Sequence, residues 1–367
     1  MRDVLDALTR WTEAGEPIAL ATLVQVHGSA PRLPGARMVI TRDGSMVGSV
    51  SGGCVESDIV TRAAEILADG RPVLARYGIA DDSELAVGLT CAEIEVFIEP
   101  FRASPAWRTV QAAVTSHAPA VLAVALGPTA IAGRSLALGA DGAVSGTIDA
   151  ALDPTITDTA RAMFGTGAVS MLTIPTSTGD ATIFFEAFAR PRRLVISGGS
   201  HVAVVLARMA KQIGMHVTVI DARSAYLTRE RFPDADALVH AAPGKTLAAL
   251  DLTESFVVSL THDLKFDVPT LAAALRGRAT YVGAMGSLRT HARRWAALVE
   301  DGFDATALAR IRTPIGLDIG STTPDEVAIA ILAEILAVRS GRDARPLREH
   351  GVVHDTTRAR AALRPVQ

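Results

Sequence analysis

The residue of this chain with the clearest chemical potential is a cysteine in a glycine-rich turn. Residues 48–56 read GSVSGGCVE, so the thiol of Cys54 directly follows Gly52 and Gly53. Apolar residues at helical spacing begin just after this turn, and the partial positive charge of a helix N-terminus favours a thiolate. Glu56, in the first helical turn, opposes a low thiol pKa. The sequence therefore allows either an exposed, soft metal ligand or a small cysteine buried behind a tight turn.

A second loop, residues 27–38, leads into a hairpin with an Asp-Gly pair at its tip. Such a pair between apolar runs is a strong hairpin signal. Backbone N–H groups near Gly28 and Ser29, together with the guanidinium group of Arg32, could hold an anionic ligand. The two loops predict an anion site beside a sulfur ligand.

An internal repeat helps to separate residues needed for folding from residues that could do chemistry. Residues 127–148 read as a degenerate copy of the first loop and hairpin, with Gly146 where the first copy has Gly48. The second copy has Ala-Ala-Leu at residues 150–152, where the first has Gly-Gly-Cys at residues 52–54, and it contains no cysteine. Since a repeated unit needs the same residues to fold, the difference predicts that the first copy carries the chemistry and the second is scaffold.

A dinucleotide-binding pattern opens the second half of the chain. A buried-strand pattern is followed by Gly198, Gly199, Ser200 and His201, then by an apolar helical pattern and a second strand that ends in Asp221. This order predicts a Rossmann-like fold. Ser200 stands where the fingerprint has its second glycine. The domain could bind NAD, with Asp221 on the adenosine ribose, or bind another ligand, or none.

Further polar segments follow the later strands, at the edge where open α/β sheets place ligands. Residues 261–263, Thr-His-Asp, predict either a general base with its orienting carboxylate or a helix cap. Residues 283–287 predict an anion site or a plain entry into an arginine-rich helix, and residues 314–320 predict a turn or a site. Residues 323–326, Thr-Pro-Asp-Glu, predict a capping box that begins a structural helix.

Composition limits the class of protein. The chain has 367 residues, of which 49% are hydrophobic, and its net charge of −3 offers no general basic field for nucleic acid. No apolar run reaches membrane-spanning length, and the first residues lack the order of a signal peptide. Two cysteines far apart in sequence fit a reducing compartment, so we expect a cytoplasmic protein.

The predicted fold class is α/β, with an N-terminal α+β domain that contains the internal repeat and then a Rossmann-like, doubly wound parallel-sheet domain. We place the first repeat copy at residues 1–100 and the degenerate copy at residues 101–190. The Rossmann-like domain takes residues 191–340, and an arginine-rich tail takes residues 341–367.

Seven motifs in order resemble one protein family: GSAPRLPGARM, GSVSGGCVE, GLTCAEIEVFIEP, LVISGGSHVA, THDLKFD, YVGAMGS and PIGLDIGSTTPDEVA. Over roughly residues 10–340 the chain closely resembles the XdhC/CoxI family, the accessory proteins of xanthine dehydrogenase and carbon monoxide dehydrogenase. The resemblance points to Cys54 and Cys91 as the matched cysteines. The chain departs from the family pattern at Ser200 and at residues 92–93, Ala-Glu, where a glycine pair is common.

The resemblance implies a maturation factor that binds molybdenum cofactor and protects it while a cysteine desulfurase installs its terminal sulfido ligand. The cofactor then passes to an apo molybdenum hydroxylase. Such a protein is a chaperone rather than a turnover enzyme, and we expect a homodimer. Cys54 would ligate the molybdenum. The implied cofactor-binding residues are Gly28, Ser29, Arg32, Gly52, Gly53, Cys54, Glu56, Cys91, Gly198, Gly199, Ser200, His201 and Asp221.

Three other classes stay open. An NAD-dependent oxidoreductase would use the Rossmann-like domain and turn over hydride. A sulfurtransferase would carry a persulfide on Cys54. A docking scaffold would tolerate the loss of both cysteines.

Overall fold

The computed structural model describes residues 1–78, 92–177 and 179–350. They form two compact units, one that ends at Arg190 and one that begins at Pro191. Cys91 and residues 351–367 of the predicted tail lie outside the described residues. Within the described ranges, every helix is too short or too polar to cross a lipid bilayer.

The first unit contains two antiparallel sheets with the same strand order. The strands of the first sheet are β1 (Ile18–Gly28), β2 (Arg37–Thr41), β3 (Met46–Gly48), β4 (Val73–Tyr77) and β5 (Ala92–Pro100). Those of the second are β6 (Ala120–Gly127), β7 (Ser135–Leu138), β8 (Val144–Gly146), β9 (Val169–Ile174) and β10 (Ala181–Phe188). Among the described residues the orders are β3-β2-β1-β5-β4 and β8-β7-β6-β10-β9, so each strand of one sheet has a counterpart in the other.

Helices cover both faces of these sheets. They are α1 (Arg2–Glu13), α2 (Glu56–Asp69), α3 (Pro105–Thr115) and α4 (Asp153–Met163). Helices α1 and α3 share one core with a face of each sheet, whereas α2 and α4 each pack in a separate core on one sheet. In β1, Leu20 lies in the shared core and Ala21 lies in the core of α2. Because successive strand residues point to opposite faces and each face is covered, the first seven residues of β1 are all buried.

One glycine at the end of each hairpin is required by sterics. Gly48 has φ 90°, and a Cβ atom there would lie 2.3 Å from the carbonyl oxygen of Arg37. Gly146 has φ 80°, and a Cβ atom there would lie 2.3 Å from the carbonyl oxygen of Ser135. Only glycine fits such an approach. These paired contacts also show that Ser135 occupies the position in the second copy that Arg37 occupies in the first.

The second unit is a doubly wound parallel sheet. Its strands are β11 (Arg193–Ser197), β12 (His216–Asp221), β13 (Ala237–His240), β14 (Phe256–Ser259), β15 (Tyr281–Ala284) and β16 (Ile311–Arg312). Its helices are α5 (His201–Gln212), α6 (Pro243–Ala248), α7 (Leu264–Arg276), α8 (Leu288–Glu300), α9 (Ala305–Leu308) and α10 (Pro324–Ser340), with 3₁₀ turns at Ser224–Tyr226 and Leu347–His350.

The order of this sheet is β13-β12-β11-β14-β15-β16, and all neighbouring strands are parallel. Helices α5 and α10 pack in a core on one face, and α7 and α8 pack in a core on the other. The direction of the strand order reverses between β11 and β14, which is where such sheets bind ligands. The predicted α/β class and the Rossmann-like fold are confirmed.

A carboxylate at the first position of a helix organises the preceding loop in both copies. Glu56 begins α2 and accepts hydrogen bonds from the hydroxyl groups of Ser49 and Ser51 at 2.6 and 2.5 Å. It also accepts backbone N–H groups of residues 50–53 and 55. Asp153 begins α4 and accepts a hydroxyl hydrogen bond at 2.5 Å and two backbone N–H groups at 3.0 and 3.2 Å. The loops before α2 and α4 are therefore held from inside by equivalent acids.

The structure corrects the alignment of these two loops by one residue. Val55 directly precedes α2 and Leu152 directly precedes α4, so Leu152 is the counterpart of Val55 and not of Cys54. The loop before Asp153 is one residue shorter than the loop before Glu56, and an aspartate side chain also has the shorter reach. The additional residue of the first loop lies in its Gly-Gly-Cys segment.

We expect Glu56→Gln to lower the free energy of unfolding by about 1–3 kcal/mol, because a neutral amide replaces an ionised acceptor of several hydrogen bonds. Burial alone would raise the pKa of Glu56, but hydrogen bonds from Ser49, Ser51 and the loop backbone outweigh it and lower the pKa from 4.5 to about 2. The pKa of Glu56 is therefore lower in the folded state than in the unfolded state. The carboxylate therefore stabilises the fold fully above pH 4.5, and this contribution is lost as the pH falls toward 2.

Urea unfolding of both proteins between pH 2 and pH 7 measures this difference, which should narrow below about pH 4.5. Asp153→Asn is the matched control in the second copy. Its effect should be smaller, because Asp153 accepts fewer N–H groups. Equal stability of wild type and Glu56→Gln at neutral pH would contradict the role assigned to Glu56.

Candidate functional site

Cys54 lies in the loop that Glu56 holds, and its side chain is exposed. Gly52 and Gly53 precede it with φ of 90° and 121°, a region that other residues rarely adopt. The N–H group of Cys54 donates to Ser51 Oγ at 3.0 Å. The backbone is thus fixed by hydrogen bonds while the thiol faces solvent. This exposure rules out a cysteine buried behind the turn.

The N–H groups of this loop are directed to Glu56 rather than to solvent. Those of Gly52 and Gly53 lie 3.2 and 2.9 Å from the carboxylate oxygens. Glu56 is therefore a positioning residue for the loop. A ligand would meet the thiol of Cys54 and the open side of Gly53, where a Cβ atom would have no described atom within 4 Å.

The loop that follows β1 lies against the cysteine loop. Gly28 is exposed at the end of β1, and Ser29 after it is half-buried. Arg32 donates from Nε to the carbonyl oxygen of Ser49 at 3.1 Å. A Cβ atom at Gly52 would lie 3.2 Å from a side-chain carbon of the proline that precedes Arg32. The structure therefore brings the predicted anion loop and the cysteine loop together.

Asp3 on α1 is a partner of Arg32 that the sequence did not reveal. Its carboxylate accepts a hydrogen bond from Arg32 Nη2 at 2.7 Å. Burial would raise the pKa of Asp3, but the N-terminal ammonium group and Arg32 outweigh it and lower the pKa. An anionic ligand at Arg32 would compete with this carboxylate. No local pattern marks the pair, because its members are 29 residues apart.

The glycine turn of the second unit is occupied by the protein's own groups. The N–H group of Gly199 donates to Asp221 Oδ2 at 2.8 Å. A Cβ atom at Gly199 would lie 2.7 Å from the carbonyl oxygen of Tyr226. Ser200 is the N-cap of α5, since its hydroxyl accepts a backbone N–H group at 3.3 Å, and His201 is the exposed first residue of that helix. The serine that replaces a glycine thus begins the helix.

Asp221 is buried, and both of its oxygens accept hydrogen bonds from Arg223, at 3.0 and 2.9 Å. The guanidinium carbon of Arg223 lies 3.8 Å from the centre of the Tyr226 ring. Burial would raise the pKa of Asp221, but the hydrogen bonds from Arg223 and from the N–H group of Gly199 lower it. In a dinucleotide-binding fold, an acid at the end of the second strand normally accepts hydrogen bonds from a ribose. Here the acid is engaged by Arg223, which stacks on Tyr226.

The other polar segments at this sheet edge have structural roles. Asp263 is the N-cap of α7 and Ser287 is the N-cap of α8, and each accepts a backbone N–H group from the first turn. Gly316 donates its N–H group to Glu334 of α10 at 2.9 Å, which anchors the loop before that helix. Residues 323–326 form the predicted capping box.

A buried ion pair next to these segments was missed by sequence reasoning. Asp267 of α7 and Arg294 of α8 are fully buried and lie 2.5 Å apart. The hydroxyl group of Ser259 donates to Asp267 at 2.8 Å, and Arg294 donates to the carbonyl oxygen of Thr261 at 3.3 Å. The pair ties both helices to the end of β14. No sequence signal marked this pair, since Arg294 is one of three arginines in α8 and lies 27 residues from Asp267.

Two family models match the chain. The model described as the XdhC and CoxI family matches residues 11–78, and the model described as the XdhC Rossmann domain matches residues 194–335. The first match contains the cysteine loop and the loop that follows β1. The second contains the glycine turn and the capping box.

Curated relatives align over most of the chain. A protein from Bacillus subtilis, named as a probable xanthine dehydrogenase subunit, is 29% identical over 339 residues, 92% of this chain and 96% of the relative. The molybdenum cofactor insertion chaperone PaoD of Escherichia coli is 28% identical over 330 residues, 89% of this chain and 85% of the relative.

A solved structure shares the fold. The crystal structure of a protein described as a xanthine dehydrogenase from Bacillus halodurans superposes with a TM-score of 0.72 at 23% identity, and the match covers 94% of this chain and 98% of that one. Together, the two family models cover more than half of the chain and include both candidate loops. The protein belongs to the XdhC and CoxI family.

Proposed function

We propose that this protein binds molybdenum cofactor as cargo during the maturation of a molybdenum hydroxylase. The observation that carries the proposal is the exposed thiol of Cys54, on a loop that Glu56 fixes from inside. Family membership supports it, since one relative is named a molybdenum cofactor insertion chaperone and another a probable xanthine dehydrogenase subunit.

The groups at the cysteine loop fit a cofactor that contains a soft metal and an anionic phosphate. Thiolate sulfur is a preferred ligand of soft metal centres, so Cys54 would hold the molybdenum. Arg32, whose side chain is 37% exposed, offers a guanidinium group to the phosphate of the cofactor. The open backbone at Gly53 allows close approach of the ligand.

The later steps of the proposal concern transfer. We infer that the bound cofactor is protected while a cysteine desulfurase installs the terminal sulfido ligand. The cargo then passes to an apo enzyme of the xanthine dehydrogenase or carbon monoxide dehydrogenase type. An exposed thiol ligand suits a carrier, because its cargo must leave again. The homodimeric state and the cytoplasmic location remain predictions from the sequence.

The same residues bear on two alternative functions. A nicotinamide-dependent oxidoreductase is disfavoured, because the protein's own groups cover Gly199 and occupy Asp221. A sulfurtransferase would use Cys54 in a different way, by carrying a persulfide that intact-mass spectrometry detects after incubation with a cysteine desulfurase.

We expect Cys54→Ala to reduce retention of molybdenum cofactor by more than about tenfold, since even residues that only support metal ligands contribute tenfold or more to affinity. The fold should remain intact, because the side chain is exposed and such substitutions change stability by less than about 0.5 kcal/mol. Molybdenum per protein chain after loading and gel filtration measures the effect, with thermal unfolding as the check on the fold.

A control variant places a thiol in the equivalent loop of the second copy. Ala151→Cys, added to Cys54→Ala, places a cysteine in the exposed loop before α4 and should not restore retention. Wild-type molybdenum content in Cys54→Ala would show that this thiol is not a ligand of the molybdenum.

For the second unit we expect oxidised NAD to bind more weakly than about 1 mM in a calorimetric titration. Asp221→Ala should instead lower the free energy of unfolding by about 1–3 kcal/mol, because Arg223 and Gly199 lose a charged partner. Asp263→Ala, which removes an exposed helix cap at the same sheet edge, controls for loss of a carboxylate. Micromolar NAD affinity, about −8 kcal/mol, that Asp221→Ala removes would restore the oxidoreductase alternative.

A further inference from the structure

The duplication places two glutamates in equivalent positions of the first unit. Glu99 of β5 pairs with Leu20 of β1, and Glu186 of β10 pairs with Leu122 of β6. Each glutamate approaches a glycine of the other copy. A Cβ atom at Gly35 would lie 3.1 Å from Glu186, and one at Gly133 would lie 3.2 Å from Glu99. The two carboxylates are thus related by approximate two-fold symmetry.

The position around Glu186 is filled by a guanidinium group of the protein itself. Arg37, whose side chain is 1% exposed, lies 2.5 Å from Glu186. Its guanidinium carbon lies 5.4 Å from the centre of the Trp107 ring. The N-terminal ammonium group is also buried near this pair. Its pKa is lowered mainly by burial and next by the positive charge of Arg37. Glu186 is therefore paired with a positively charged group of the protein itself.

Glu99 is the equivalent carboxylate in the first copy's sheet, but in the described part of the chain no arginine is paired with it as Arg37 is with Glu186. Ser135 stands where the first copy has Arg37, and a serine cannot reach the carboxylate with a charge. A cavity of about 460 Å³ occupies the place, within the range of small-molecule sites. Its wall includes Glu99, Ser104, Trp107 and Ser135.

Glu99 is 6% exposed and has no hydrogen-bond or ion-pair partner among the residues that the structure describes. Burial raises the pKa of Glu99 to about 8, although the charge of Arg37 opposes the shift. A buried carboxyl group without a partner in the protein is costly unless water or a ligand satisfies it, and Glu99 faces the cavity where either could do so. Arg102 and Arg134, both exposed, also line the cavity and place positive charge at its edge.

We propose that this cavity binds a small molecule with a planar guanidine-type N–H fork at one end and an anionic group at the other. The fork takes the place at Glu99 that the guanidinium group of Arg37 takes at Glu186. Paired, parallel N–H donors match the two oxygens of a carboxylate. The anionic group meets Arg102 and Arg134.

The cavity is separate from the cysteine loop. Gly70, at the end of α2, lines the cavity, whereas Cys54 precedes the start of that helix. A helix of 14 residues is about 20 Å long, so one ligand of this size does not reach both places. The proposal therefore stands whether or not Cys54 holds molybdenum cofactor.

Two common molecules carry this chemistry, and titration calorimetry distinguishes them. L-arginine has a charged guanidinium group and a carboxylate, and guanosine 5′-monophosphate has a neutral cyclic guanidine edge and a phosphate. L-lysine, whose ammonium group is not a planar fork, and adenosine 5′-monophosphate, whose base lacks the paired N–H donors, serve as matched probes. We expect at least one of the first two to bind below 1 mM and the matched probes to bind at least about tenfold more weakly.

Proton release tests whether the bound fork meets an ionised Glu99. A guanidinium cation favours the ionised carboxylate, so arginine binding at pH 7 should release close to one proton from Glu99, since the pKa of the free group is about 8. Because two N–H donors engage both oxygens only when Glu99 is ionised, guanine binding through its N–H edge should also release a proton. Titrations in buffers of different ionisation enthalpy measure this number.

Two variants test the residues. Glu99→Gln should weaken binding by about tenfold or more, and Ser135→Arg should abolish it by supplying the guanidinium group of the first copy. Glu95→Gln, on the same strand but in a surface ion pair with Arg76, should bind as wild type does. If Ser135→Arg does not fold, Glu99→Gln decides alone. Absence of binding by both forked probes, equal binding of the probes without a fork, or unchanged affinity in Glu99→Gln would overturn the proposal.

Discussion

The candidate site depends on one carboxylate that satisfies the backbone of its own loop. A chain that turns through two consecutive glycines leaves several N–H groups without partners in secondary structure, and such groups are costly when buried. Glu56 accepts most of them at once from the first position of α2. This arrangement removes an anion site from the loop but fixes the position of Cys54. The acid that opposes a thiolate electrostatically is thus the group that holds the thiol in place.

Much of the fold could be predicted from the sequence, because its signals are local. Period-two and period-3.6 patterns located most strands and helices, and the turn around Gly198 with the acid at Asp221 predicted the parallel sheet. The role of Glu56 was missed, since a side chain that folds back on its own loop leaves no periodic signal. The match of Leu152 with Cys54 was off by one residue, because a loop can lose a residue when a shorter acid caps the helix.

The parts of the site that escaped prediction involve residues far apart in sequence. Nothing near Arg32 indicates Asp3, and nothing near Gly199 indicates that Tyr226 covers it. The same holds for Arg37 and Glu186, which meet only because the two copies pack together. Buried ion pairs of this kind contribute little net stability but are costly to break. The two copies share one strand order, but among the described residues Arg37 in the first and Ser135 in the second leave only one of the two equivalent glutamates with a buried cation.

The core shared by α1, α3 and both sheets bears on the origin of the molecule. One copy alone would expose the apolar sheet face that it now buries against the other, and exposed faces of this kind drive association. An ancestral single copy could cover that face by pairing with itself about a two-fold axis, as most homodimers do. Fusion of the two genes would leave the arrangement seen here, with both halves free to diverge. In this chain one half has a thiol at its loop, and the other has Ser135 where the first has the buried Arg37.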